Sequence, residues 1–158
     1  MENKLRQNLP IAKITDRIAK QITNVACCDL APMLPNQYVT VFAESVVKYG
    51  ENILKDPVQA NRYYDRFTKA LHDLAVIGDE GLSALAGLLD DERVAVRVTA
   101  ASYLVHCKTE KALKVLSAAR KEDRAIAMLA IVTLKRWETG SYLDPVSGRE
   151  VKIKPKEQ

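Results

Sequence analysis

Aromatic residues make up only 6% of this 158-residue chain, and histidine is rarer still, at two positions. Scarce aromatics argue against a sheet sandwich, whose strands are rich in aromatic and β-branched residues. His72 and His106 are too few for a histidine-based catalytic centre. His106 and Cys107 are neighbours in a helical pattern, which projects them about 100° apart rather than onto one metal ion. Three cysteines, Cys27, Cys28 and Cys107, cannot all pair, and two adjacent ones close no useful loop. Reduced thiols and a cytoplasmic location are therefore expected. No apolar run approaches the roughly eighteen residues of a membrane span, and the opening Met-Glu-Asn-Lys-Leu-Arg lacks the apolar core of a signal peptide. A glycine-rich phosphate loop, a Gly-x-Ser-x-Gly elbow and a His-Glu-x-x-His helix are all missing. No catalytic, cofactor-binding or metal-binding residues are expected, and the chain reads as a binding protein rather than an enzyme.

What is plentiful is aliphatic: 47% of residues are hydrophobic, mostly Ala, Leu, Val and Ile, enough for one continuous helical core. The net charge is +4. Residues 1–35 carry five Lys/Arg against three Asp/Glu, residues 36–140 fifteen against fourteen, and residues 141–158 four against three. No segment concentrates basic charge as a dedicated nucleic-acid binder does, so protein is the favoured partner.

Three segments follow from the pattern. Residues 1–35 hold one amphipathic helix, with Ile11, Ile14, Ile18, Ile22 and Val25 at spacings of three and four. Pro32 and Pro35 punctuate the link to a helical domain at 36–140, where Asn36 is expected to cap a helix over residues 37–54. Asp56-Pro57 then starts a helix over 57–77, closed by Gly78. Beyond Gly78 the pattern repeats at an offset of thirty. It pairs Leu85 with Val115, Leu88 with Ala118, Val96 with Ile126, Ala100 with Ala130 and Leu104 with Leu134. Each copy reads as helix, charged turn, helix: 80–89 and 94–107, then 109–120 and 124–138. About six buried aliphatic side chains at roughly 1.5–3 kcal/mol each cannot offset the ordering of about thirty residues at around 1–2 kcal/mol apiece. A lone hairpin would unfold, so neighbours must pack together. The expected fold is all-α: stacked antiparallel helical hairpins in a short right-handed α-solenoid of about seven helices. Residues 141–158 form an irregular tail or a small β-hairpin around Pro145-Val146-Ser147-Gly148.

The run from Leu88 to Ala101, with its Asp90-Asp91-Glu92-Arg93 turn, Val96-Arg97 pair and small residues, resembles the second half of a HEAT repeat. The resemblance implies that Asp90 or Asp91 and Arg97 bridge neighbouring units. Ala127 stands where the next Arg would be, so such a ladder has one rung. Residues 37–140 resemble a bacterial family of HEAT-like proteins of unknown function. The likeness rests on Tyr38 and Phe42, Tyr63-Tyr64, Ala95-Val96-Arg97 with Ala100-Ala101, the stretch from Lys111 to Leu116, and the stretch from Thr133 to Trp137. Members of such families are often encoded beside polymorphic or contact-dependent toxins. The resemblance thus implies an immunity protein that neutralises a cognate toxin by direct binding.

Candidate partner-binding residues come from the turns. Asp79, Glu80, Asp90, Asp91, Glu92, Glu122 and Asp123 sit at helix starts, where carboxylates favour the helix dipole. In a regular stack they would form one acidic edge suited to a basic partner such as a nuclease toxin. Tyr63 and Tyr64 cannot both face the core of one helix, so one is expected on the surface as a potential anchor. Trp137 is expected to plug the core at the end of the last helix. The alternatives are a general protein adaptor and a nucleic-acid-binding helical-repeat protein. The latter would use Arg62, Arg66, Lys69, Arg93, Lys108, Lys111, Lys114, Arg120 and Arg124.

Overall fold

The computed structural model describes residues 33–144 and 147–152. The amphipathic pattern at residues 11–25 and the Cys27-Cys28 pair lie outside them. Helix α1 (Pro35–Asn52) begins one residue before the expected Asn36 cap. Pro35 takes the first helical position, where a missing N–H costs nothing. The Gln37 Oε1 accepts the Leu34 N–H at 2.8 Å, so a glutamine in the first turn does the capping and Asn36 already lies inside the helix. Helix α2 (Pro57–Ile77) has the expected start, with the Asp56 carboxylate accepting the Gln59 N–H at 3.0 Å and Pro57 next to it. It stops at Gly78, whose φ of 90° an L side chain rarely adopts.

Helix α3 (Asp79–Ala86) continues directly into a 3-10 turn (Gly87–Asp90). Helices α4 (Val94–Leu104), α5 (Thr109–Ala119) and α6 (Arg124–Glu138) follow. Six α-helices are thus present among the described residues; the seventh that the pattern suggests would be residues 11–25. The C-terminal segment resolves in favour of a hairpin: β1 (Ser141–Leu143) pairs antiparallel with β2 (Glu150–Lys152), Tyr142 opposite Val151. The Ser141 hydroxyl lies between the Arg136 carbonyl and the Glu150 carboxylate, tying the hairpin to the end of α6.

The core is one cluster of Phe42, Val46, Phe67, Leu71, Leu74, Leu85, Leu89, Val96, Val98, Leu104, Leu116 and small alanines. Helix α4 lies at its centre, touching α1, α3, α5, α6 and β1. That position explains its sequence. Val96, Val98, Ala100, Ala101 and Leu104 are all fully buried, a spread of positions that a helix shows when it is covered on most sides. Each hairpin contacts the next in sequence: α2 packs on α3 and α1 on α4, then α4 on both α5 and α6.

The thirty-residue repeat survives in the second helix of each hairpin and shifts by one in the first. Ala100 and Ala130 are both fully buried, and Val96 and Leu104 are matched by Ile126 and Leu134, which are half-buried against the same core. In the first helices the buried set is Gly81, Leu85 and Leu88 against Ala112, Leu116 and Ala119, thirty-one residues apart. Val115, expected to match Leu85, is only half-buried, and Ala118, expected to match Leu88, is exposed. Within α5 the stripe through Val115 and Ala118 includes the charged Lys111, whereas the stripe from Ala112 through Leu116 to Ala119 is apolar throughout, so α5 turns about 100° to bury it.

Candidate partner-binding surface

The acidic turns are not one edge. Asp79 and Glu80 open α3, whereas Asp90, Asp91 and Glu92 follow its far end. Eight α-helical and four 3-10 residues separate the two groups by about 20 Å. Glu122 and Asp123 belong to the α5–α6 turn, which corresponds to the turn at residues 90–93 rather than to Asp79 and Glu80.

Several of these carboxylates are also already engaged. Asp91 takes the Arg93 guanidinium on both oxygens, at 2.8 and 2.7 Å, and the Arg93 N–H at 2.9 Å. Those hydrogen bonds, Arg93 foremost, hold the Asp91 carboxyl below the usual carboxylate range. Asp90 is paired with the Lys111 ammonium, a link from the second hairpin to the third. Asp123 caps α6, accepting the N–H groups of Ala125 and Ile126 at 3.0 and 3.2 Å. The Asp–Arg rung expected from the HEAT-like stretch is not an ion pair. Arg97 instead donates to the backbone carbonyls of Asp91 and Glu92, at 2.5 and 2.9 Å. It closes the turn from beneath, while Lys111 to Asp90 forms the cross-hairpin link. Among the described residues, Asp79, Glu80, Glu92 and Glu122 are exposed and form no ion pair.

The tyrosines fare differently. Tyr63 is half-buried, and Tyr64 is 45% exposed, as the adjacency argument requires. The Tyr64 ring is held in an aromatic cluster, with its centroid 5.0 Å from Phe67 and 5.9 Å from Tyr49. Phe67 in turn meets Tyr49 at 5.8 Å and Phe42 at 5.9 Å, edge to face. Nearby in sequence, the α1–α2 connection exposes Ile53 and Leu54, Leu54 at 93%, and the first turn of α2 exposes Val58. A fixed, half-exposed ring combines low ordering cost with apolar area. The sequence marked Tyr64 but missed Tyr49, its support on the facing helix; the signal was the aromatic spacing of Phe42 and Tyr49 along α1.

Tyr103 also titrates abnormally. Burial pushes its phenol from 10.0 up to about 12, with the neighbouring Tyr64 adding to the rise and Arg136 opposing it. An acid with a raised folded-state pKa stabilises the fold fully below the unfolded value and loses that contribution as pH climbs from 10 towards 12. Wild type is expected to lose about 2 kcal/mol over that window through this group. Tyr103→Phe should lose correspondingly less, read as the difference in urea midpoints between the two proteins at each pH.

Two concavities lie where the second and third hairpins meet. One is an open groove of about 650 Å³ with Leu89 and Ala86 in its floor and Lys108, Lys111 and Lys114 on its rim. Lys111 and Lys114 are neutralised by Asp90 and Glu110. A smaller one of about 280 Å³ is bounded by Arg97, Lys114 and Glu122 over Leu89, Val98 and Val115. Among the described residues no group of three or more Asp, Glu, His or Cys side chains could hold a metal ion. Trp137 is half-buried against the core, and His106 stacks on Tyr142 at 4.2 Å. Burial lowers the His106 pKa, so the ring favours its neutral form there. No helix of the described residues is long and apolar enough to cross a membrane.

In comparisons with known proteins, the chain matches no family model, no curated sequence and no solved structure.

Proposed function

We propose that this chain is a protein-binding module of stacked HEAT-like hairpins, a cytoplasmic immunity protein that blocks a cognate bacterial toxin by direct contact. The observation that carries protein binding is Tyr64, fixed by Phe67 and Tyr49 yet 45% exposed. Rigid aromatic side chains at apolar surfaces concentrate binding energy. Stacking is supported by the contact of each hairpin with the next and by the Lys111–Asp90 pair that spans the last two. The toxin assignment rests on the family resemblance, and the unpaired Asp79, Glu80 and Glu92 suit a basic partner.

The test is copurification of the tagged chain with the product of the adjacent upstream gene, together with protection of cells expressing that product. Tyr64→Ala is expected to leave the fold intact and to weaken binding about thirtyfold or more. Unimpaired killing in cells that express the wild-type chain would count against immunity. Full affinity in Tyr64→Ala would remove this surface as the binding face.

The lysine-rimmed groove favours a second reading, a nucleic-acid binder. Three lysines against two carboxylates leave about one net charge there, too little for the multiple phosphate contacts that nucleic-acid affinity requires. That reading predicts a retarded complex with duplex or transfer RNA at low salt, weakening steeply as salt rises.

A further inference from the structure

Helix α6 is unlike the others in having a second apolar face. Its inner side, Ile126, Ala130, Thr133, Leu134 and Trp137, packs on the core. The opposite side exposes Met128 at 53%, Leu129 at 37%, Ile131 at 44% and Val132 at 38%, with Ala125 exposed one turn before. Contiguous apolar patches on a helix already seated in its own core are markers of association.

The outer face has a heptad order. Ala125 and Val132 are seven apart in one row, and Met128 and Lys135 are seven apart in the next. Those two rows form a seam of the kind that a second helix fills. Leu129 and Arg136 are spaced by seven on one flank, and Arg124, Ile131 and Glu138 on the other. The second flank has an aliphatic residue at its middle and opposite charges at its two ends.

That arrangement selects a partner. When two identical helices pack antiparallel, a flank meets the same flank of the other copy with its order reversed. Leu129 then faces Leu129 across the two-fold axis. On the other side Ile131 faces Ile131, with Arg124 opposite Glu138. In the centre, Met128 packs against Val132. Both Arg124–Glu138 contacts join opposite charges, and the two helix dipoles oppose one another favourably. A parallel pairing would set Ile131 against the charged Arg136. Arg124 and Glu138 are exposed and form no ion pair with other described residues. From this self-complementarity we infer that the outer face of α6 is the contact surface of a symmetric, antiparallel homodimer. The interface uses none of the aromatic surface proposed above for the foreign partner.

The apolar strip is short, so the dimer is reversible and depends on concentration. Sedimentation velocity of the full chain over a concentration series should show a monomer–dimer equilibrium. Glu138→Arg places arginine opposite Arg124 twice per dimer and is expected to raise the dissociation constant about tenfold or more. Adding Arg124→Glu to that variant exchanges the charges and should restore dimerisation towards wild type, a recovery that a general loss of structure would not produce. Met128→Glu should abolish association while the helical circular dichroism is kept. A wild type that is monomeric at every concentration overturns the inference, whatever else then covers the face. So does failure of the exchanged pair to recover.

Discussion

Gly81→Ala should destabilise the fold by about 3 kcal/mol or more, although alanine is the better helix former by about 1 kcal/mol. Gly81 is the point at which α3 rests on α2. A Cβ built there would overlap the Leu74 carbonyl oxygen, lie 2.8 Å from the carbonyl carbon and stand 3.1 Å from the Ile77 Cβ. The first two are backbone atoms and cannot rotate away. The two helices must part, and Leu74 and Leu85, both fully buried, lose contact together. Gly87→Ala is the matched control, since nothing lies within 4 Å of its added Cβ and its φ of −59° is open to any residue. It should be neutral or stabilising by about 0.5–1 kcal/mol, because alanine restricts the unfolded chain. Urea unfolding of the two variants beside wild type measures both. A Gly81→Ala protein within about 1 kcal/mol of wild type would mean that α2 and α3 do not approach as closely as this.

Gly81 also marks the boundary of what the sequence discloses. Apolar periodicity located α2 at residues 57–77 and α6 at 124–138 to the residue, since proline, aspartate and glycine signals at their ends are local. The starts of α4 and α5 follow for the same reason, from the charged turn before Val94 and from Thr109. What periodicity could not reveal is rotation of a helix about its own axis. Leu85 was aligned with Val115 because both are aliphatic, yet α5 buries Leu116. The choice is made by Lys111, which sits along the rejected stripe inside the helix and stays in water. Asn36 failed as a cap for a similar reason. Its side chain could accept an N–H, but Pro35 already fixes a helical φ one residue earlier and Gln37 reaches back to Leu34.

Surface chemistry was harder to read than burial. Seven carboxylates were grouped by their type and their place at helix starts, but a helix has two ends. Those of the α2–α3 junction face the other way from those after the 3-10 turn. Arg93, Lys111 and the α6 N-terminus take up Asp91, Asp90 and Asp123. The Arg93 pair and the Asp123 cap are local, but the Asp90–Lys111 pair depends on a distance across 21 residues of chain, which no local pattern records. That one of Tyr63 and Tyr64 is exposed was legible, because adjacency alone forbids burying both, but not which of the two it is.

Phe67 connects the stability of the fold to the proposed binding surface, and two substitutions separate those roles. Phe67→Ala removes a ring that is 4% exposed and touches Phe42, Tyr49 and Tyr64. It leaves a cavity between α1 and α2, and the expected loss is about 3–5 kcal/mol. Phe67→Leu refills much of that volume and should lose less than about 2 kcal/mol, keeping the chain folded. What leucine cannot supply is the edge-to-face contact that fixes the Tyr64 ring at 5.0 Å. Tyr64 then keeps its exposure but gains rotamers, and ordering it on binding costs about 0.5–1.5 kcal/mol more. Phe67→Leu is therefore expected to weaken partner binding by about three- to tenfold, less than Tyr64→Ala, with a smaller drop in the unfolding midpoint than Phe67→Ala. Chemical denaturation and a binding isotherm on the same preparation separate the two effects. If Phe67→Leu binds as wild type while Tyr64→Ala does not, Tyr64 acts through its own contact alone and the aromatic cluster is needed only for the core.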